Sequence, residues 1–516
     1  MQNYKTYLKN RYKSIFKQTY KMLDALAILI FSVGLLNFFY KDYNIFWSFF
    51  FSSLTAILVS GLFRLFSRGD KEEVLSTNDA VIIVFFIWTL SIILSALPFV
   101  YSGYLNMHQA VFESTSGWTT TGLSMFTDVE VLPKTFLIWR SIIQFIGGAG
   151  FALIMVIVAG SMGVGLYQAE GRTDNVVPNL RDSAKIIIGI YISLAVAGII
   201  LIKIFTNISL FDAFNHTLTA LATGGFSTKN TSVAYFNDPV LEYIIIILMV
   251  LGGTGFGVHY AFGQMIKNTL RNIKEYLSKE INYLELKERI KSEPFLKNPE
   301  PKTMFFIAVI SITMLLFFTT LNLYTGFGNS FRIAVFQGIS ALTGTGFATV
   351  TFNLWNNLGM LVMTLLMITG GMMDSTSGGL KLFRIYVILK TVKLNILNFF
   401  KPAGTKFHIE VYKGVSKKKI NENTFREIIS VVTMYFFIYF VGVFVLLGYG
   451  YNLKDSLFEY ASALSAVGLS TGITAPDAPL GVIWIETLGM YLGRLEFFAI
   501  FYAIIKLFKD IKEFLK

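Results

Sequence analysis

Ten long apolar runs, at 25–39, 45–66, 80–100, 135–160, 184–206, 240–264, 303–325, 357–392, 426–449 and 481–507, alternate along the chain with shorter polar or basic stretches. At about 1.5 Å per helical residue most can cross the ~30 Å hydrocarbon core of a bilayer, which predicts ten membrane crossings. From the third run onward they fall in pairs. Within each pair lies a stretch too polar to continue a span and too apolar for an ordinary loop. The first is Phe112-Glu-Ser-Thr-Ser-Gly-Trp-Thr-Thr-Thr-Gly-Leu-Ser124, and variants begin at Phe214, Phe336 and Phe458. Each reads as a half-length helix followed by a Gly-Leu or Gly-Phe turn. The aligned glycines Gly122, Gly225, Gly346 and Gly468 are 103, 121 and 122 residues apart, which marks a fourfold internal repeat. The second copy carries one extra residue, so Gly224 competes with Gly225 for the aligned position.

Composition agrees with the pattern. At 54% hydrophobic and 15% charged residues, the 516-residue chain has more apolar sequence than one soluble core buries, and a polytopic membrane protein follows. The absence of cysteine excludes disulfides and thiolate metal sites in this chain, and four histidines argue against a histidine metal site. The net charge of +12 suggests topology rather than nucleic acid, because the bases cluster in alternate loops. Lys5, Lys9, Arg11, Lys13, Lys17 and Lys21 precede the first run; 266–302 and 390–426 are strongly basic, whereas the loops beside the four turns hold chiefly Lys229, Arg332 and Lys454. The positive-inside rule puts both termini in the cytoplasm and the four re-entrant segments on the outer face. A second hydrophobic run follows the first at once and no small-residue cleavage site separates them, so a retained helix is preferred to a signal peptide. The chain then divides into a basic N-terminus with two extra helices (1–78), four repeats (79–165, 166–265, 303–395, 426–516) and two cytoplasmic connectors (266–302, 396–425). The first connector, with Tyr283, Leu284, Leu286 and Ile290 at helical spacing, predicts one amphipathic helix.

Non-helical backbone at membrane depth requires protein or water to satisfy its polar groups, so four glycine turns predict a water-lined cavity on one axis. The carbonyls of Thr120, Thr121 and Gly122, of Ala222, Thr223, Gly224 and Gly225, of Gly344, Thr345 and Gly346, and of Ala466, Val467 and Gly468 are candidates to coordinate a partly dehydrated ion. Asp212, Ser330 and Asp455 stand where N-caps of the half-helices belong, which puts each negative dipole end at its turn and favours a cation. Glu113 and Glu459, on two of these helices, either concentrate cations or bond neighbouring backbone. His216 reads as a packed, hydrogen-bonded residue rather than a proton carrier. The stretch 369–380 breaks its span with small polar and glycine residues just inside the turns. Arg494 stands about 13 residues from either end of its span, roughly 20 Å along a helix, too deep for comfortable snorkelling. Such an arginine is a functional-site candidate or half of a structural pair, most simply with Glu496. We expect its guanidinium to bond carbonyls of the 369–380 loop or Asp374.

These repeats, with Gly-Gly-Met-Met-Asp-Ser-Thr-Ser-Gly-Gly-Leu-Lys (370–381), Gly-Arg-Leu-Glu (493–496) and Ile-Gly-Gly-Ala-Gly (146–150), resemble the TrkH potassium-uptake proteins of the Trk, Ktr and HKT superfamily. The resemblance covers nearly the whole chain. It implies an all-α polytopic fold with two extra N-terminal helices and four pseudo-repeated helix, pore-loop, helix units around one central pore, in a bacterial or archaeal plasma (inner) membrane. It implies potassium at the turn residues, a homodimer, and a cytoplasmic ring of TrkA-type regulatory subunits that carry the nucleotide; this chain would hold no cofactor of its own. Gly370, Gly371, Asp374, Ser375, Thr376, Gly378, Gly379 and Arg494 match the family's gate, an intramembrane loop with a pore-facing arginine. Met372, Met373 and Asp374 are bulkier or more charged than the family's usual residues there, and a purely structural kink is the competing reading. A proton- or sodium-coupled carrier is the rival function, weakened by the scarcity of acids in the spans. An intramembrane enzyme would need a nucleophile and base or clustered metal ligands, which the sequence does not offer.

Overall fold

The computed structural model describes residues 2–68, 75–150, 179–400 and 409–515. Among the described residues six helices are long and apolar enough to span a bilayer, and two further pairs qualify if each bent pair counts as one span. The chain is a multi-pass membrane protein. Its outward faces are apolar, as at Ile204, Phe437 and Phe444, while its interior buries Ser114, Thr217, Ser340 and Ser462, which suits a chain dissolved in lipid around a polar axis.

The first two long helices, Gln2–Gly34 and Tyr43–Phe66, form an antiparallel pair. Their backbones approach closely because the second presents Ser48, Ser52, Ser53, Ala56 and Ser60 inward; Ser53 Oγ donates to Ala27 O at 2.9 Å. Buried Arg11 pins this pair to the rest by ion pairs to Asp79, in the first turn of Thr77–Tyr101, and to Asp510, in the last helix, at 3.0 Å.

Each repeat then supplies an outer helix, a short pore helix and a second helix. The pore helices are Met107–Trp118, Leu210–Leu221, Phe327–Thr343 and Leu453–Leu464. Their N-caps are Asn106, Ser209, Gly326 and Asn452, not the residues expected from sequence. Asp212 and Asp455 sit one turn inside, where their N–H groups are accepted by the Ser209 and Asn452 side chains, and Ser330 bonds the carbonyls of Thr320 and Tyr324. The error is one of register: an acid at the third helical position complements the dipole as well as a cap does.

The second helices are Lys134–Ala149, Pro239–Gly252, Asn357–Thr369 and Leu480–Arg494, and all four are too short to cross a bilayer unaided. The expected continuous spans 240–264 and 481–507 are instead bent by 103° and 100°. Glycines set the stopping level. A Cβ at Gly147, Gly252 or Gly493 would lie 2.1, 2.5 or 1.8 Å from the carbonyl oxygen of Trp118, Leu221 or Leu464, so in the first, second and fourth repeats the second helix presses its backbone onto the end of its own pore helix. The remainder of the expected 135–160 span lies outside the described residues. The connector 266–302 is not one helix: Phe256–Leu277 ends beyond the bend, and Tyr283–Ser292 begins after left-handed Lys279. The second connector contains a β-hairpin, strands Ile409–Lys413 and Ser416–Ile420, that the all-helical expectation lacked.

Candidate functional site

Where each pore helix ends, the backbone takes a left-handed conformation at two residues spaced two apart. These are Thr120 (φ 58°) and Gly122 (98°), Thr223 (50°) and Gly225 (71°), Gly344 (71°) and Gly346 (82°), and Ala466 (54°) and Gly468 (99°). Gly225, not Gly224, is therefore the structural equivalent of Gly122. Three of the four first positions, Thr120, Thr223 and Ala466, are not glycine, and each carries strain of about 1–3 kcal/mol that the surrounding packing must hold. The four segments close on one another in a ring. A Cβ on Gly122 would meet Gly224 O at 2.3 Å, one on Gly225 Thr345 O at 2.2 Å, one on Gly346 Val467 O at 1.9 Å, and one on Gly468 Thr121 O at 2.1 Å. Each glycine thus admits the carbonyl of the next repeat, and only a residue without a side chain leaves that room. Among the described residues no donor reaches the carbonyls of Thr121, Thr345 and Val467. Above the ring opens a cavity of about 650 Å³ that the four glycines help to floor.

Buried side chains brace the strand leaving each glycine. Nine residues before the glycine stand Glu113, His216, Gln337 and Glu459. They reach the hydroxyls of Ser124 at 3.0 Å, Ser227 at 2.9 Å, Thr349 at 3.0 Å and Ser470 at 2.6 Å. Full burial and these bonds favour the bonding reading of Glu113 and Glu459 over the cation-concentrating one. His216 is bonded on both ring nitrogens, to Asp212 O and Ser227 Oγ, as a packed histidine should be. Six residues before the glycine stand Ser116, Thr219, Ser340 and Ser462. In the first and fourth repeats the hydroxyl accepts the glycine N–H at 2.9 Å, and in the other two it donates to the carbonyl one residue beyond, at 2.9 and 2.7 Å.

Equivalent repeats balance charge differently. Arg140 pairs with Glu113 at 2.7 Å, covers the Phe226 ring at 4.0 Å and reaches Ser227 O at 3.2 Å, so it also ties the first repeat's exit strand to the second's. The matching position in the fourth repeat is Glu486. Thr474 Oγ lies 2.7 Å from Glu459 Oε1 and 3.0 Å from Glu486 Oε2, and its one proton serves one carboxylate at a time. Farther out, Asn230 donates to Asp128 at 2.8 Å, and this bond, with that from the Glu130 N–H, holds the exposed Asp128 carboxyl below the usual range.

Directly beneath the ring the third repeat's second helix ends at Gly370 (φ 69°) and resumes at Leu382. The intervening loop touches the second, third and fourth repeats directly. Thr376 Oγ contacts Leu221 O at 3.0 Å, Gly252 O at 2.9 Å and Thr223 Oγ at 3.1 Å; Ser377 Oγ would lie 2.9 Å from a Cβ at Gly344; Ser465 O would lie 2.0 Å from one at Gly378. The first repeat joins through Arg494, which donates to Thr376 O at 2.6 Å, to Gly147 O at 2.6 Å and to Gly148 O at 3.2 Å. Between loop and arginine only about 40 Å³ remains, room for roughly one or two waters, against 650 Å³ above the ring.

A family model described as cation transport protein, TrkH, matches residues 46–512. The chain belongs to the TrkH family. A relative from Methanocaldococcus jannaschii described as an uncharacterized cation transporter is 29% identical over 85% of this chain and 86% of its own. The Trk system potassium uptake protein TrkH of Salmonella typhimurium is 27% identical over 84% and 86%, and that of Escherichia coli 27% over the same shares. The crystal structure of the potassium transporter TrkH from Vibrio parahaemolyticus has the same fold, with TM-score 0.77, 23% identity, and 95% of this chain and 97% of that one covered.

In this TrkH chain the arginine and the loop meet as expected, through a loop carbonyl, but two details differ. Arg494 is not in mid-helix: it ends Leu480–Arg494, and left-handed Glu496 and Phe497 turn the chain away. Asp374 is not its partner, nor is Glu496, which pairs with Arg384 at 2.5 Å. Asp374 instead pairs with Lys413 of the hairpin at 2.8 Å. The bulky residues of the loop have places to go: Met373 packs with Phe383, Val387, Val411 and Ile428, and its N–H donates to buried Glu300 at 2.6 Å. Sequence reasoning also missed Gln144, whose amide donates to Gly224 O at 2.5 Å and accepts from Phe226 N at 3.2 Å. A glutamine inside an apolar run, four residues from Arg140 on one helix face, was the available signal.

Proposed function

We propose that the chain conducts potassium into the cell through the ring formed at Gly122, Gly225, Gly346 and Gly468. The observation that carries this reading is the closure of the ring. Four glycines each admit a neighbour's carbonyl, so oxygens from all four repeats crowd one level of one axis. A cation there exchanges its hydration shell for those oxygens, and the number and field strength of the carbonyls set the preference among ions. The four pore helices end at this level, and their negative dipole ends add to the attraction. The loop 370–381, held by Arg494, is the gate of this pore. The Lys and Arg distribution supports cytoplasmic termini and a plasma-membrane orientation with the 650 Å³ cavity outward. A homodimer within lipid, opened by a TrkA-type ring that carries the nucleotide, completes the proposal by analogy with the Trk systems of the relatives.

The purified chain in liposomes, with potassium and sodium exchanged across the bilayer, tests the reading. Potassium should set the reversal potential, and equal permeation of both ions would refute the filter. The rival coupled carrier draws on one observation, Glu459 and Glu486 facing one another across Thr474 beside the strand that follows Gly468. It would be favoured if steady uptake rose steeply with an imposed proton gradient.

A further inference from the structure

Lys413 lies 39 residues beyond Asp374 in sequence, outside every membrane-crossing run, yet its side chain is only 3% exposed and Asp374's 1%. The strand Ile409–Lys413 turns Val411 and Lys413 to one face by the two-residue period of a strand, and both are buried there. Val411 packs with Met373 and Phe383, and Lys413 Nζ stands 5.7 Å from the centre of the Phe383 ring. The opposite strand carries Lys417, Lys418 and Lys419. The loop end of this contact is itself constrained. Asp374 holds a left-handed conformation (φ 57°), its carbonyl accepts from Phe256 N at 3.3 Å, and the preceding residue is fixed by Glu300.

We propose that Lys413 is a positioning residue of the gate, a cytoplasmic bolt that holds the intramembrane loop across the pore through Asp374. The proposal rests on the reading of the loop as a gate. Two clamps then hold the loop from opposite sides. Arg494 grips the carbonyl of Thr376 from the membrane interior, and Lys413 grips the carboxylate of Asp374 from the hairpin. Taking the ammonium from beside a buried carboxylate leaves that charge seeking water, and the near side of the loop offers little, so releasing Lys413 favours movement of Asp374 and its loop toward the cytoplasmic mouth. Movement of the hairpin is thereby converted into movement of the loop. The hairpin lies in the connector between the third and fourth repeats, where a cytoplasmic event can reach it without entering the membrane.

The test uses the full chain in liposomes and reads potassium flux and reversal potential together. Lys413→Met should raise basal flux roughly tenfold, within the range of couplings between contacting groups, with the reversal potential unchanged. Asp374→Asn should do the same, the double variant should add little, and the exchanged pair Lys413→Asp with Asp374→Lys should return flux toward the parent. Because the chain has no cysteine, Ser377→Cys gives a second readout: its labelling from the cytoplasmic side should quicken in Lys413→Met. Parental flux and labelling in Lys413→Met, alongside raised flux on deletion of 372–377, would overturn the bolt and leave the gate standing. Parental flux in both would overturn the gate and the bolt with it. If Lys413→Met does not fold, the exchanged pair decides, and its failure to restore folding or low flux overturns the proposal.

Discussion

In the ring, four segments from four repeats place left-handed residues at the same two positions and share one glycine-to-carbonyl approach, whereas the loop beneath it occurs once and meets its neighbours through unlike contacts. Two constrictions in contact on one axis are built on opposite plans. The repeated one suits a task that needs equal oxygens around an ion, and selectivity is such a task. The unrepeated one suits a task that needs a part able to leave, because its hold is the sum of a few separable contacts: Thr376 on the second repeat, Arg494 on Thr376, and Lys413 on Asp374. Changes in the ring should therefore alter which ion passes, and changes in the loop should alter how much.

The largest effect is expected at Gly346, where a Cβ would lie 1.9 Å from Val467 O in a left-handed backbone. Gly346→Ser must displace that carbonyl, at a cost of about 1–3 kcal/mol, and potassium preference over sodium should fall roughly tenfold or more. Gly122→Ser, with 2.3 Å to Gly224 O, should act in the same direction more mildly, as bi-ionic reversal potentials would reveal. Next, deletion of 372–377 should raise basal potassium flux with selectivity intact, since the deleted atoms cross the axis but do not form the ring. Arg494→Gln removes three donated bonds to carbonyls and should raise flux several-fold, less than the deletion, because the hairpin clamp remains.

The smallest effects sharpen the comparison inside the ring itself. Glu113→Gln leaves Arg140 buried without its carboxylate and should lower stability by about 3 kcal/mol, seen as an earlier thermal midpoint in detergent. Glu486→Gln removes one of two facing carboxylates and should be neutral or raise the midpoint. A matching loss in both would mean that the two positions balance charge alike after all.

The ring was legible because four copies of one motif give four chances to read it, and only the extra residue near Gly225 needed the backbone dihedrals to place. The early stops of the second helices were half legible. Glycines mark them at 147–150, 252–255 and 370–371, but beside Arg494 the lone Gly493 is too small a signal to separate a helix end from a helix middle. The partners of Asp374 and Glu496 were not legible, because Lys413 and Arg384 reach them across long sequence separations and Lys413 sits in a connector that composition marks only as basic. Gln144 was visible as a polar residue in an apolar run but had no named partner until Gly224 O came within its reach.

The separation of the two constrictions is tested most directly by measuring reversal potential and flux on the same liposomes for Gly346→Ser and for the 372–377 deletion. The account predicts that Gly346→Ser shifts the reversal potential toward sodium, while the deletion raises flux at the parental reversal potential. A deletion that admits sodium, or a Gly346→Ser chain that keeps its preference for potassium, would contradict it.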